Sequence, residues 1–133
     1  MLLLALLQWR ASTLGRGFIT VIANAASSGE LAGVANVTPG VALADAEGHL
    51  KLQPGRAAAT VSNMAVAAQY RRRGLGRRLL AACEAAAAQH LSPPASLMAL
   101  AVYRSNEPAT ALYASSGYAL DRGWVDPRWA ESA

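Results

Sequence analysis

The spacing of apolar residues changes at Gly74, and this change constrains the fold more than any other feature of the sequence. Residues 61–66 alternate as a buried β-strand does, whereas apolar residues over 75–90 recur at helical spacing. The second stretch is rich in alanine, the best helix former, and the prolines at 93 and 94 end it. The sequence therefore predicts a strand, a short loop and a helix in immediate succession.

The remaining segments predict further strands and one short helix around this unit. Strands are expected where β-branched residues cluster between turn residues, and a helix where Asn and Pro open a run that ends at glycine. In chain order we predict a helix at 1–7, strands at 18–23 and 30–37 joined as a hairpin, a buried strand at 97–102, a helix at 106–115 closed by Gly117, and a strand from 118. This order predicts one α/β (α+β) domain over residues 1–133.

Length and composition exclude several classes of protein. A chain of 133 residues that is 53% hydrophobic can bury a core, so it is not intrinsically disordered. One cysteine and two histidines exclude a disulfide scaffold and leave almost no ligands for a metal, so we expect no metal site. The longest apolar opening, residues 1–7, is far short of the ~20 residues that span a membrane. We therefore expect neither a membrane anchor nor a metal.

The loop between the predicted strand and helix reads Arg71-Arg-Arg-Gly-Leu-Gly76. Backbone N–H groups at the start of a helix lack intrahelical acceptors, and the helix dipole adds partial positive charge there. The two glycines let a phosphate approach the backbone, and arginine offers fork-shaped donors that suit phosphate. No Gly-Lys-Ser/Thr follows, so this is not a Walker A loop. The loop indicates an anion site, and a solvated helix face or a nucleic-acid patch are the alternatives.

A second motif, Asn-x-x-Ala-x-x-Leu-Tyr-x-x-x-Gly-Tyr over residues 106–118, follows the next predicted strand. Together with residues 71–76 it resembles motifs A and B of the GNAT superfamily, the acetyl-CoA-dependent N-acetyltransferases. Tyr118 stands where the family usually has Phe. The hairpin with Gly29-Glu-Leu-Ala-Gly33 is similar to the family's second and third strands, so the resemblance covers about residues 18–120. Residues 61–66, the arginine loop and the tail 124–129 look most like plant and algal plastid-type members.

The resemblance implies a mixed, mostly antiparallel sheet with a V-shaped split between two central parallel strands, here residues 61–66 and 97–102. It implies helices on both faces, with the N-terminal strand and helices reduced or missing. Acetyl-CoA would lie in the split as co-substrate, its pantetheine paired with the first of these strands and its pyrophosphate on the loop amides. The implied cofactor-binding residues are Met64, Ala65, Val66, Arg71, Arg72, Arg73, Gly74, Leu75, Gly76, Arg77 and Asn106.

Two residues of the second motif have roles that the resemblance implies. Tyr113 would be the general acid that protonates the departing CoA thiolate; the alternative is a core aromatic at the helix edge. Asn106 would hydrogen-bond the cofactor, and it can equally be a helix N-cap, a position that asparagine favours. Tyr70, Tyr103 and Tyr118 are expected to be packing residues.

The sequence departs from the family at the position of a general base. The branch that acetylates ribosomal-protein N-termini has a glutamate twelve residues before the tyrosine, and Ala101 stands there in this chain. Ser62 and Asn63, on the preceding strand, are not bases at neutral pH. Freeing an α-amine of pKa ~7.8 at pH 7 costs about 1 kcal/mol, and freeing a lysine costs roughly 4–5 kcal/mol. Without a strong base, the expected acceptors are α-amines or small amines rather than lysine, although some family members acetylate both kinds.

The sequence also departs from the family at its ends, because only seventeen residues precede Phe18. We therefore expect a fragment or a reduced domain that keeps the cofactor half. An N-acetyltransferase acting on a protein N-terminus, a lysine or a small amine is the first interpretation, and a non-catalytic CoA-binding remnant is the second. A nucleic-acid-binding module is the third, although aromatic residues are not interleaved with the arginines as base stacking requires. We expect a location inside the cell, in the plastid stroma for a plant or alga and otherwise in the cytoplasm.

Overall fold

The computed structural model describes residues 2–11 by their backbone, and residues 17–40 and 57–119 in full. The chain divides into two compact units, Met1–Ala101 and Val102–Ala133. The first unit contains the sheet and a long helix, and the second contains a short helix. The assignment of all 133 residues to one domain stays a prediction.

A five-stranded sheet forms the first unit, and its strands lie side by side in chain order. Neighbouring strands are antiparallel, except that the last two are parallel. This mixed, mostly antiparallel sheet confirms the predicted fold class. The strands are β1 (Leu2–Ala11), β2 (Gly17–Ala25), β3 (Leu31–Pro39), β4 (Ala58–Val66) and β5 (Leu97–Leu100).

Strand β1 shows that the helix predicted at the start of the chain is wrong, and that the N-terminal strand, which was expected to be reduced or missing, is present. The backbone pairs with β2 from Leu2↔Ala25 to Ala11↔Gly17, with an irregularity between Ala5 and Leu7. The near-helical spacing of the leucines is a weak local preference. Pairing with a neighbouring strand outweighs it, as tertiary context commonly does.

Helix α1 (Leu75–His90) packs on one face of the sheet, chiefly over β3 and β4. The predicted helix is confirmed, and it ends just before the two prolines, as expected. Its inward face and the facing sides of the strands form the core. The most buried large side chains are Ile19, Val37, Leu75, Leu79, Leu80 and Cys83. In the described part of the first unit, an apolar layer between helix and sheet therefore holds the two together.

Strand β5 differs from the buried strand predicted over residues 97–102. It covers only Leu97–Leu100, and Leu97 is 37% exposed while the other three side chains are half-buried. β5 is the last strand in the order of the sheet, so the structure describes a strand partner on only one of its sides. A strand at the end of a sheet can therefore have an apolar sequence without having buried side chains.

The second unit contains helix α2 (Glu107–Ser115), which confirms the predicted short helix. Gly117, with a φ of +94°, closes it as expected. The amide of Tyr118 donates to the carbonyl of Tyr113 at 3.0 Å, and that of Gly117 donates to Ala114 at 3.2 Å. This pair of bonds is a Schellman motif, which satisfies the last helical carbonyls. Tyr118 and residue 119 are not in a strand, and the rest of the strand predicted from 118 lies outside the described residues.

Candidate cofactor-binding site

The pairing of strand β4 with its neighbours changes halfway along its length. From Ala58 to Val61 it pairs with β5 in parallel, and this ladder stops at Val61↔Leu100. Among the described strands, the second half, residues 62–66, has a partner only in β3. Met64, Ala65 and Val66, which the resemblance implies to be cofactor-binding residues, all lie in this half. The structure therefore has an open edge where the resemblance implied the split.

A β-bulge lies in the same half of β4. Between the pairs Asn36↔Ser62 and Val34↔Ala65, β4 has one residue more than β3. Asn63 takes up the difference with a left-handed φ of +53°. A bulge bends the strand and increases its twist. The bulge therefore begins two residues beyond Val61, the last residue of β4 that is paired with β5.

Two hydrogen bonds hold the start of the loop after β4. The amide of Ala67 donates to the carbonyl of Ala32 at 2.8 Å, and Arg71 Nε donates to the carbonyl of Val66 at 3.0 Å. Arg72 and Gly74 have left-handed φ values of +64° and +76°, and between them they turn the chain into α1. The loop is thus a defined turn that sets the direction in which α1 begins.

The first turn of α1 presents donors to a ligand. Gly74 is the N-cap, and since it has no side chain it cannot cap the helix as Ser or Asp would. The first backbone bond into the helix is donated by Arg78 to the Gly74 carbonyl, at 3.2 Å. Leu75 and Gly76 precede that bond, so their amides have no intrahelical acceptor. These donors and the helix dipole favour an anion.

The arginines around the loop are all exposed, and the first turn of α1 contains no acidic residue. The guanidinium of Arg73 lies 5.7 Å from the centre of the Tyr70 ring, within range of a cation–π contact. Several exposed cations beside a helix N-terminus are suited to a phosphate-bearing ligand. The exposed arginines of the loop and first turn are Arg71, Arg72, Arg73, Arg77 and Arg78.

Two predicted site residues belong to the second unit. Asn106 is the N-cap of α2, and its Oδ1 accepts a hydrogen bond from the Ala109 amide at 3.2 Å. The N-cap role, one of the two predicted for Asn106, is therefore confirmed. Tyr113 is half-buried, and its ring centre lies 6.1 Å from that of Tyr118.

Sequence reasoning missed an interaction at the rim of the loop. Tyr70, predicted to be a packing residue, uses its hydroxyl to donate to Oε2 of Glu30 at 2.8 Å. This bond raises the pKa of the Tyr70 phenol above its ordinary value, with smaller contributions from burial and the Glu30 charge. The two residues are 40 positions apart, so no local pattern could reveal the bond. Tyr103, also predicted to pack, is 66% exposed.

The described residues contain no group of three or more His, Cys, Asp or Glu side chains arranged to hold a metal ion. Of the helices in the described ranges, none is both long and apolar enough to cross a membrane.

Solved structures with a similar fold include three acetyltransferases. AAC(6')-Iy, in complex with the bisubstrate analog CoA-S-monomethyl-acetylneamine, matches with a TM-score of 0.65 and 16% identity, over 82% of this chain and 67% of that one. Glucosamine-6-phosphate N-acetyltransferase from Arabidopsis thaliana matches with a TM-score of 0.62 and 14% identity, over 82% and 65%. An aminoglycoside acetyltransferase from an uncultured soil metagenomic sample gives a TM-score of 0.60 and 24% identity, over 82% and 64%. The chain thus spans about two thirds of the length of these proteins.

A comparison with curated protein sequences gives no significant match. The profile of the acetyltransferase (GNAT) family matches residues 3–118, most of the chain. That range includes the open half of β4, the arginine loop, α1 and the motif around Tyr113. The chain belongs to the GNAT family of acetyltransferases.

Proposed function

We propose that this protein transfers an acetyl group from acetyl-CoA to a primary amine. The observation that carries the proposal is the continuity of residues 62–77. An open strand edge leads directly into a glycine-capped helix N-terminus surrounded by arginines. A strand edge suits an arm that carries amide groups, and the helix N-terminus suits a pyrophosphate. Acetyl-CoA has these two parts in this order.

The chain's residues fit this ligand in two stretches. The backbone of Met64, Ala65 and Val66 would pair with the pantetheine. The amides from Arg71 to Arg77, with the arginine side chains, would hold the pyrophosphate. The Oδ1 atom of Asn106 is engaged by Ala109, which leaves its Nδ2 group as the donor for the cofactor arm.

Acetyl-CoA supplies an activated thioester, and the chain supplies position and a proton. The amine nitrogen would attack the thioester carbonyl, the C–S bond would break, and an amide would form. We propose that Tyr113 donates its phenolic proton to the departing thiolate, while the attacking amine loses a proton to solvent. A phenol of pKa near 10 can protonate a thiolate whose conjugate acid has pKa ~8.5 only when it is well oriented.

The acceptor class follows from the residues that stand where a general base would be expected. Ala101, Ser62 and Asn63 occupy the positions where a base would be expected, and none of them takes up a proton at neutral pH. An acceptor with an α-amine or a small, weakly basic amine is therefore favoured over lysine; for the α-amine the difference in deprotonation is about 3–4 kcal/mol. The plastid-type subfamily, the compartment and the expected truncation stay predictions.

An assay for released CoA thiol tests the activity. The panel would contain peptides with free α-amines, peptides with lysine and a blocked N-terminus, polyamines and amino sugars. We expect thiol release with at least one α-amine or small amine, and slower release with lysine. CoA binding without release on any acceptor would instead support the second interpretation, a non-catalytic CoA-binding protein.

The variant Gly76→Asp tests the cofactor site. The added carboxylate would lie in the first turn of α1, where it repels phosphate but interacts favourably with the helix dipole. We therefore expect CoA binding to be lost, with no loss of thermal stability. Titration calorimetry measures the binding of CoA, and a melting curve measures the thermal stability. In the wild type, CoA affinity should also fall as salt rises, since arginines hold a polyanion.

Ala85→Asp is the matched control, because it adds the same charge at an exposed position farther along α1. Its CoA affinity should stay near that of the wild type. Unchanged CoA affinity in Gly76→Asp would contradict the assignment of the loop.

The variant Tyr113→Phe tests the proton donor. It keeps the ring against Tyr118 and removes only the hydroxyl. Folding and CoA affinity should hold, while turnover on the best acceptor falls by about 10²–10⁴-fold. Tyr118→Phe removes a phenol from the neighbouring ring and serves as the control, with turnover close to that of the wild type. Wild-type turnover in Tyr113→Phe would show that Tyr113 is a packing residue.

A further inference from the structure

Glu30 connects the β2–β3 hairpin to the loop that precedes α1. Its Oε2 accepts from the Tyr70 hydroxyl at 2.8 Å, and its Oε1 accepts from Gln69 Nε2 at 3.3 Å. We call these three residues the Glu30 clamp. Both carboxylate oxygens are thus engaged by neutral donors, although exposed arginines follow directly at residues 71–73.

The hairpin holds the backbone of Glu30 in place. Its amide donates to Ser28 Oγ at 3.2 Å, and its carbonyl accepts from the Ala25 amide at 2.8 Å. The turn is closed further by Asn24 Nδ2, which donates to the Gly29 carbonyl at 3.0 Å. The carboxylate therefore projects from a fixed turn. The loop is attached to that turn at the side chains of two successive residues.

The clamp extends to an arginine of the proposed phosphate site. The guanidinium of Arg73 lies over the ring of Tyr70, whose hydroxyl Glu30 holds. Fixing the phenol therefore restricts where the ring, and with it the guanidinium, can lie. Arg73 itself makes no ion pair with Glu30 among the described residues, so its donors stay available to a phosphate.

We propose that Glu30 is a positioning residue for the acetyl-CoA site: through Tyr70 it sets the loop and Arg73 in the arrangement that binds the cofactor's phosphates. The proposal rests on the proposed function, because it needs a phosphate-bearing ligand at this loop. Glu30 does not touch the ligand. Its effect is on cofactor affinity and on KM for acetyl-CoA rather than on kcat.

A purely electrostatic role for Glu30 makes the opposite prediction. A carboxylate near a phosphate site repels the ligand, so removal of its charge alone would tighten CoA binding. Glu30→Ala removes both the charge and the hydrogen bonds, whereas Glu30→Gln removes the charge and keeps an oxygen that accepts from Tyr70. Comparison of the two variants separates positioning from repulsion.

The experiment measures CoA affinity by titration calorimetry and acetyl-CoA kinetics on the full chain. We expect Glu30→Ala to weaken CoA binding about 5- to 10-fold, as the loss of one or two hydrogen bonds predicts. Glu30→Gln should stay within about 2-fold of the wild type because the Tyr70 bond is kept. Tyr70→Phe keeps the ring under Arg73 but loses the bond, and it should resemble Glu30→Ala. The double variant Glu30→Ala/Tyr70→Phe should be little worse than either single variant.

Glu84→Ala is the control for net charge, since it removes an exposed carboxylate from α1. Its CoA affinity should match that of the wild type, and melting curves would show that each variant is folded. Tighter CoA binding in Glu30→Ala, or equal affinity in Glu30→Ala and the wild type, would overturn the clamp while the proposed function stands. If the wild type binds no CoA at all, the proposed function fails first.

Discussion

Cys83 is the chain's single thiol, and it lies fully buried on the inward face of α1. Burial, with a smaller contribution from the Glu84 charge, raises the pKa of this thiol from 9.0 to about 12. Because the thiolate is the reactive form, Cys83 is expected to be inert in the folded protein. Cys83 is therefore a small core residue rather than a nucleophile.

We expect a thiol reagent at pH 8 to label no cysteine in the native protein and one cysteine after denaturation. The raised pKa also makes stability depend on pH. Below about pH 9 the thiol is neutral in both the folded and the unfolded state, so its ionisation costs no stability. Between about pH 9 and 12 the thiol ionises first in the unfolded state, so the free energy of unfolding falls. Stoichiometric labelling of the native protein at the rate of a free thiol would contradict the expectation that Cys83 is inert.

At the scale of elements, Gly33 sets how closely α1 approaches β3. A Cβ at this position would lie 2.9 Å from Leu79 Cδ1, 3.3 Å from Leu75 Cδ2 and 3.2 Å from the carbonyl oxygen of Ala65. The leucine methyls can move, but the carbonyl belongs to the neighbouring strand. We therefore expect Gly33→Ala to lower the free energy of unfolding by about 1–2 kcal/mol, as overpacking does. Denaturant unfolding would measure the change.

A double-variant cycle with Leu79→Ala provides the control. Leu79→Ala alone should destabilise by about 2–5 kcal/mol, because it opens a cavity. In that background Gly33→Ala should cost less than it does alone, since the new methyl group finds space. Equal costs in the two backgrounds would show that the helix does not limit residue 33.

Periodicity predicted the elements that follow their own local preference. The helix over 75–90 and the strands β2 and β3 have apolar patterns that match their burial. β4 forms where it was predicted, but its buried residues are 58–61, and beyond Val61 its side chains are half-buried or exposed. β1 was missed because its conformation comes from pairing with β2, and no pattern within residues 2–11 shows a partner. β5 was expected to be buried because an apolar run does not reveal that its strand lies at the end of the sheet.

The candidate site also has one part that could be predicted from the sequence and one part that could not. The glycines and arginines of residues 71–78 are adjacent in sequence, so an anion site could be proposed there from the sequence alone. The bond between Glu30 and Tyr70 joins residues 40 positions apart and depends on the register of β3 against β4. Contacts set by strand register cannot be seen in a single sequence.

At the scale of the whole molecule, the sheet of the first unit is built in chain order. β2 and β3 are joined by a five-residue turn, whereas Ala58 pairs with Leu97 across the whole of α1. Closing a loop of about 40 residues rather than about 5 costs roughly 2 kcal/mol more in chain entropy. The β4–β5 ladder is also the shortest in the sheet, so its hydrogen bonds offset the least of that entropy cost.

The two sides of the split should therefore differ in how readily they open. We expect amides of β5 to exchange with solvent faster than those of β2 and β3 in native-state hydrogen exchange, because locally weak strands open without global unfolding. Equal protection across the sheet would contradict this. Since β5 ends where the open half of β4 begins, the proposed cofactor site would be the last part of the sheet to form when the chain folds. A newly made chain would then fold its meander of β1 to β4 before it could hold acetyl-CoA.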